Sequence, residues 1–91
     1  MATKGAIGIL ETRGFAPLIQ GADAAVKAAN VELVDWRQVG SGYVSFMIEG
    51  DVASVRSAIE AGADAASKIG EVVSQLVLPL PVEEIDKSLK G

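Results

Sequence analysis

The chain has 91 residues, 49% of them hydrophobic, and a net charge of −4, which indicates one small domain with no basic surface for nucleic acid or anionic lipid. It contains neither cysteine nor histidine, so disulfides, thiol nucleophiles, the usual zinc ligands and the commonest general base are excluded. A domain of this size is marginally stable by itself, and its apolar composition favours oligomerisation.

The apolar segments of the sequence are short. The longest of them, residues 76–82, contains two prolines and is far too short to span a bilayer. Residues 5–10, near the N-terminus, are too few for the core of a signal peptide. We therefore expect a soluble, cytosolic protein.

The first half of the chain predicts a strand, a helix and a β-hairpin. Residues 4–11 have the pattern of a buried strand. Pro17 suits a first helical turn, and Asn30 suits a C-terminal cap. Residues 31–39 and 43–50 are rich in β-branched and aromatic residues, and the three residues between them predict a hairpin. The apolar stripe of the helix consists of Leu18, Ala22, Ala25 and Ala29, with Ile19 and Val26 beside them.

A second helix follows the hairpin. Asp51 is a good N-cap, and the apolar spacing of residues 52–69 is helical. Gly62 lies inside this helix, where we expect a tight packing contact. Lys68 in the last turn would interact favourably with the helix dipole, and Gly70 predicts a left-handed cap.

The chain ends with a strand and a polar tail. Residues 71–81 predict a fourth strand, whose prolines exclude a central position in the ladder. Residues 83–91 form a short tail with helical character. The order β-α-β-β-α-β predicts an α+β, ferredoxin-like fold in a single domain, residues 1–91: a four-stranded antiparallel sheet with two main helices on one face, plus the short C-terminal helix.

Gly40-Ser41-Gly42 begins like a G-x-G-x-x-G phosphate fingerprint. Position 45 is serine instead of glycine, and a predicted strand follows where the fingerprint requires a helix. The segment is therefore interpreted as a hairpin turn that presents backbone N–H groups and one hydroxyl.

The remaining polar residues predict no catalytic or metal site. Lys27 is a surface charge on a polar helix face, and residues 11–13 are either a site or a polar turn at a strand end. Asp51 is a helix cap. The acids of the tail favour a solvated helix start over a carboxylate pair or metal site; they are Glu83, Glu84 and Asp86.

Five segments in register, covering nearly the whole chain, together resemble one family: the single-domain, hexamer-forming shell proteins of bacterial microcompartments. The segments are GILETRG (8–14), ADAAVKAANVELV (22–34), VGSG (39–42), GDVASVRSAIEAG (50–62) and GEVVSQLVLPLP (70–81). The resemblance implies a flat hexagonal disc that tiles edge to edge into a shell around encapsulated enzymes. It implies no enzymatic activity, no cofactor, and location in a cytoplasmic microcompartment shell.

The resemblance also assigns roles to particular residues. Gly40, Ser41 and Gly42 would line a central pore on the sixfold axis, with Gln38 just before them. Lys27 and Asn30 would lie at the edge between hexamers, where the lysine ammonium bonds to backbone carbonyls of the neighbour. A polar opening of this kind would favour small polar or anionic metabolites over apolar intermediates.

The sequence departs from the family pattern at several positions. Pro79-Leu80-Pro81-Val82 stands where Pro-Arg-Pro-His is usual, so Leu80 replaces an arginine that helps to join hexamers. Lateral assembly would then be weaker, differently angled, or dependent on a partner shell protein. Gln38 replaces a common basic residue, and Trp36 stands where tyrosine is frequent. The short tail favours a catabolic compartment over a carboxysome.

Two other classes of protein fit the same predicted fold. A ferredoxin-like regulatory domain would bind an effector through a loop and form dimers or trimers through the sheet edges. A small isomerase would need carboxylates for acid–base chemistry, and it is disfavoured because the sequence has no histidine, no cysteine and no convergent pair of acids.

Overall fold

The computed structural model describes residues 5–80 and contains the six elements in the predicted order. They are β1 (Ala6–Arg13), α1 (Phe15–Ala28), β2 (Glu32–Val39), β3 (Tyr43–Gly50), α2 (Val52–Ser67) and β4 (Val72–Pro79). The strands pair antiparallel in the order β2-β3-β1-β4. The predicted ferredoxin-like α+β fold is thus confirmed, including the edge position of the proline-containing strand. The predicted tail helix lies outside the described residues.

Both helices pack on one face of the sheet. The alternation predicted for β3 is confirmed, because Val44, Phe46 and Ile48 are buried while the residues between them are half-buried. Each such side chain contributes about 1.5–3 kcal/mol when fully buried. Gly8 of β1 lies directly under α2, where an added β-carbon would come within 2.6 Å of Ile59. The opposite face of the sheet has no helix over it among residues 5–80.

The two helices approach each other closely through glycines. A β-carbon on Gly62 would lie 2.9 Å from the carbonyl oxygen of Gly21, and one on Gly21 would lie 3.0 Å from the carbonyl oxygen of Gly62. The tight contact predicted at Gly62 is therefore confirmed. The alanine-rich faces of both helices suit this close approach, because small side chains let the backbones meet.

The predicted starts of the helices are confirmed. The Asp51 carboxylate accepts hydrogen bonds from the backbone N–H of Ser54 at 2.8 Å and from its hydroxyl at 2.9 Å. These bonds, the backbone one first, lower the pKa of Asp51 below its ordinary value of 3.8. Pro17 is buried in the first turn of α1, which begins at Phe15.

Two predicted C-terminal caps are wrong. Helix α1 ends one residue earlier than predicted, with Ala29 in extended backbone as its cap instead of Asn30. Among the described residues, Gly70 is not one of the glycines with positive φ, so it is not a left-handed cap. Helix α2 instead ends through right-handed backbone at Lys68, and Gly70 donates its N–H to Ala66 at 2.9 Å. The glycine there provides space, because a β-carbon would lie 3.0 Å from Pro17.

Candidate functional site

The turn that joins β2 to β3 projects into open space. Residues 40–42 are exposed, and Ser41 and Gly42 have φ values of 73° and 81°. A β-carbon on Gly40 or Gly42 would meet no atom within 4 Å. The left-handed backbone costs Ser41 about 1–2 kcal/mol, because it is not glycine. The predicted hairpin is confirmed, and the strand that follows it excludes a helix N-terminus for phosphate.

The turn is fastened to the end of β1. The N–H of Gly14 donates to the carbonyl of Gly42 at 2.8 Å. Arg13 Nη2 donates to the Tyr43 hydroxyl at 2.9 Å, and its guanidinium carbon lies 5.3 Å from the centroid of that ring. The bond to Tyr43, supported by Glu71, raises the pKa of Arg13.

The sequence left open whether residues 11–13 form a site or a polar turn. The contacts of Arg13 and two others describe this segment. Thr12 is fully buried and donates its hydroxyl to the carbonyl of Gly14 at 2.9 Å. Glu11 accepts a hydrogen bond from Ser74 of β4 at 3.1 Å. The segment is a polar strand end whose side chains bond within the domain. β1 consequently extends two residues beyond the predicted range.

Gln38 lies near the same end of the hairpin. It is exposed in β2 and pairs with Val44 of β3. The next pair of the β2–β3 ladder, Val39 with Tyr43, is the last one before the turn. The structure thus brings the four predicted pore residues to one end of the domain.

The predicted edge residues lie at the opposite end of β1. Leu80 donates its N–H to the carbonyl of Gly5 at 2.8 Å, and Gly5 donates to the carbonyl of Gly50 at 3.0 Å. The carbonyl oxygen of Asn30 lies 3.1 Å from where a β-carbon on Gly50 would be. Lys27 is in the last turn of α1, which runs from the hairpin end to this end. The eight residues of β1 separate the two ends by about 23 Å, at roughly 3.3 Å per residue.

The Lys27 side chain is exposed and forms an ion pair. Its Nζ lies 3.1 Å from a carboxylate oxygen of Asp23, one helical turn earlier. Lys68 forms a similar pair with Asp64 at 3.4 Å in α2. Exposed pairs of this kind are weak, so the Lys27 ammonium remains available to a neighbouring molecule.

Among residues 5–80, the exposed apolar side chains include two groups, a sheet patch and a helix patch, that are uncovered in a single chain. The sheet patch lies on the open face, where Leu76 and Leu78 of β4 pair with Ile9 and Ile7 of β1, and Met47 pairs with Ile9 from the other side. Leu76 and Leu78 are 47% and 46% exposed. The helix patch follows the outer side of α1 at spacings of four and seven residues and consists of Phe15, Ile19 and Val26.

The helix patch corrects the predicted stripe of α1. Leu18, Ala22 and Ala25 are buried as predicted, whereas Ile19 and Val26 point away from the core. Spacing alone does not separate the two sets, since both recur at helical intervals. The apolar residues of α1 occupy more than one face of the helix, and this width was the signal in the sequence that some of them would lie outside the core.

The described residues form surface hollows, and one of them is as large as an ordinary ligand pocket. A hollow of about 230 Å³ on the open sheet face is lined by Ile9, Asp35, Arg37, Ser45, Phe46 and Met47. A second hollow of about 510 Å³ lies between α2 and β4, within the range of about 300–1,000 Å³ that is ordinary for ligand pockets. It is lined by Ala53, Arg56, Ser57, Ile59, Glu60, Gln75 and Val77. Within residues 5–80, no group of three or more acidic, histidine or cysteine side chains is placed to hold a metal ion. None of the helices in this part of the chain is long and apolar enough to cross a membrane.

Comparison with known proteins identifies the class. Residues 6–81 match the BMC domain. The chain is 48% identical over 90 residues to the bacterial microcompartment shell protein EutM of Salmonella typhimurium, covering 94% of both chains. It is 45% identical over 84 residues to the shell protein PduA of Citrobacter freundii, covering 92% of this chain and 90% of that one. The chain therefore belongs to the BMC domain family of bacterial microcompartment shell proteins.

A solved structure agrees with this assignment. The fold matches that of a microcompartment protein from Desulfitobacterium hafniense with a TM-score of 0.79 and 37% identity, over 96% of this chain. This chain spans about half the length of that protein, 49%. The resemblance inferred from the five sequence segments is thus confirmed at the level of family and fold.

Proposed function

We propose that this chain is a structural subunit of a cytoplasmic microcompartment shell, and that six copies form a ring that tiles with other rings into a wall. Its relatives EutM and PduA are named as shell proteins. We assign it no enzymatic activity and no cofactor. Its partners would be further copies, other shell proteins and the enclosed enzymes.

The observation that carries this proposal is the distance between the predicted pore residues and the predicted edge residues. The turn at residues 40–42 and the set formed by Lys27, Asn30 and Leu80 lie at opposite ends of β1. A subunit of a disc needs such polarity, because one end must reach the axis and the other must reach the rim. With the turn at the axis, the second set falls at the rim.

The uncovered apolar surfaces support a ring. The sheet patch and the helix patch belong to different layers of the domain, so one twofold contact that pairs like with like would leave one of them in water. A head-to-tail contact brings two different patches together in every copy and closes when the rotation is right. The number six comes from the family resemblance.

The pore would be lined by Gly40, Ser41 and Gly42 of each subunit, with Gln38 nearby. The exposed turn offers backbone N–H groups and the Ser41 hydroxyl, which make a polar opening. Gln38 adds hydrogen-bonding capacity without charge. The opening would pass small polar or anionic metabolites by passive diffusion and retain apolar intermediates.

The rim would use Lys27 and Asn30 against the next ring, with the ammonium donating to backbone carbonyls. Leu80 brings an apolar side chain to this rim where an arginine would bring five donors. We therefore propose that rings of this protein alone join more weakly than those of arginine-containing relatives, and that a partner shell protein strengthens the wall.

The pore assignment is tested by two substitutions at Ser41. Ser41→Leu adds an apolar side chain at the opening, whereas Ser41→Gly removes the hydroxyl and accepts the left-handed backbone. We expect both variants to form rings, with slower entry of a polar substrate into shells that contain Ser41→Leu and faster leakage of an apolar intermediate. Unchanged substrate flux and unchanged leakage in shells that contain Ser41→Leu would contradict the assignment.

A further inference from the structure

The contact between Arg13 and Tyr43 has no part in the function proposed above. The two residues form the last pair of the β1–β3 ladder, and Tyr43 follows the turn directly. The guanidinium donates to the phenol oxygen at 2.9 Å and lies over the ring, with its carbon 5.3 Å from the centroid. A hydrogen bond and a cation–π contact thus act on one tyrosine side chain.

Arg13 also connects this end of β3 to β4. Its Nε lies 3.7 Å from a carboxylate oxygen of Glu71, and its backbone N–H donates to the Glu71 carbonyl at 3.0 Å. The guanidinium reaches Tyr43 and Glu71 with different nitrogens at the same time. A lysine at this position would carry the same charge on one nitrogen only, and could not reproduce this fork.

The turn itself needs external support. Open space surrounds Gly40 and Gly42, and Ser41 is held in a backbone conformation that is unfavourable for its type. The support comes from the end of β1, through the bond from Gly14 to Gly42 on one side and the Arg13–Tyr43 contact on the other. Thr12 fixes this end in turn, because its buried hydroxyl bonds to the Gly14 carbonyl.

We propose that Arg13 is a positioning residue for the hairpin turn, which acts through Tyr43 and sets the direction in which Ser41 faces. The role of Ser41 at a pore rests on the proposed function, but the positioning of the turn does not. Arg13 makes no contact with a passing molecule in this scheme.

The test uses Tyr43→Phe, which removes only the phenol oxygen, and Arg13→Lys, which keeps the charge. The control is Arg37→Lys, since Arg37 is also exposed and paired with an acid, Asp35, at 3.2 Å. Amide hydrogen exchange is measured on the full-length protein, at residues 40–43 and at Phe46 in the middle of β3, together with particle mass.

We expect each of the first two variants to speed exchange at residues 40–43 roughly two- to tenfold, the factor that the loss of one ordinary hydrogen bond gives. Exchange at Phe46 should stay unchanged, as should exchange in the Arg37→Lys control. The double variant should be no faster than Arg13→Lys alone, because Arg13→Lys already removes the hydrogen bond that Tyr43→Phe removes.

Two results would overturn the inference: unchanged exchange at the turn, or a uniform increase that includes Phe46, which indicates general destabilisation. These results are independent of the proposed function. A protein that stays monomeric yet shows local loosening of the turn supports the positioning role and contradicts the ring. A ring whose turn is insensitive to both substitutions contradicts the positioning role alone.

Discussion

Gly21 and Gly62 face each other where the two helices cross, with the Gly21 carbonyl oxygen 2.9 Å from the place that a β-carbon on Gly62 would occupy. The obstacle is a backbone atom, which cannot turn aside as a flexible side chain does. The distance between α1 and α2, and with it the position of α1 over the sheet, therefore depends on the absence of a side chain at both positions.

Gly62→Ala should destabilise the protein. Overpacking costs about 1–3 kcal/mol, and the better helix propensity of alanine returns about 1 kcal/mol, so we expect a net loss of up to roughly 2 kcal/mol in the free energy of unfolding. Urea denaturation at one fixed protein concentration measures it, since assembly would add to stability. Gly40→Ala is the control: a β-carbon there meets no atom within 4 Å, and the change should be within about 0.5 kcal/mol. Equal stability of the two variants would contradict the packing argument.

Lys27→Ala should leave rings intact and impair their joining into sheets. The ion pair with Asp23 is exposed, so its loss changes folding stability little, whereas the proposed contact between rings would be lost at every edge. Electron microscopy of concentrated protein measures sheet formation. Lys68→Ala is a matched control, because Lys68 pairs with Asp64 in the same way but is not a proposed rim residue. If the two variants form sheets equally well, the assignment of Lys27 to the rim is wrong.

Leu80→Arg should strengthen lateral assembly. The substitution places donors where the family has an arginine, and the backbone bond from Leu80 to Gly5 does not depend on the side chain. We expect sheets to appear at a lower protein concentration than in the unmodified protein, by turbidity and microscopy. Leu80→Lys adds a charge without the planar fork and should have a smaller effect. No difference among the three proteins would show that this position does not limit assembly.

Asp51→Ala should lower the thermal unfolding midpoint at pH 7, and the difference from the unmodified protein should shrink on acidification. The pKa of Asp51 is lowered in the folded protein, so the unfolded chain binds the proton more readily and stability rises with pH. The contribution is complete above the ordinary value of 3.8 and is lost as the pH falls through the lowered folded value. Asp51→Asn, which caps without titrating, is the control. A difference that stays constant from pH 7 to pH 3 would contradict this assignment of the cap.

The strands and their order were predictable because the signals are local. Alternation in residues 43–50 and the small residues of the turn define the hairpin directly. The end of β1 was missed because Thr12 and Arg13 resemble a polar connection. Their strand pairing depends on partners that lie far along the chain: Val44 and Val72 for Thr12, and Tyr43 and Glu71 for Arg13.

Helix ends and the contact surfaces were less predictable. A glycine at position 70, just after a helix, is typical of a left-handed cap. The space that Gly70 leaves is instead occupied by Pro17 of the other helix. Such a tertiary contact cannot be predicted from the local sequence. Ile19 and Val26 are as apolar as core residues although they are exposed in the single chain. A surface buried between subunits, as we propose for this one, would follow the same physics as a core. The turn was predicted from its sequence, whereas its proposed position at an axis depends on other copies of the chain.

The central claim is that identical subunits close into a ring, and the mass of the particle in solution tests it most directly. Light scattering across a range of protein concentrations should give six times the mass of one chain, or larger multiples of it where rings join. A particle with the mass of one chain at every concentration, or a dimer or trimer that forms only with a bound effector, would contradict the account.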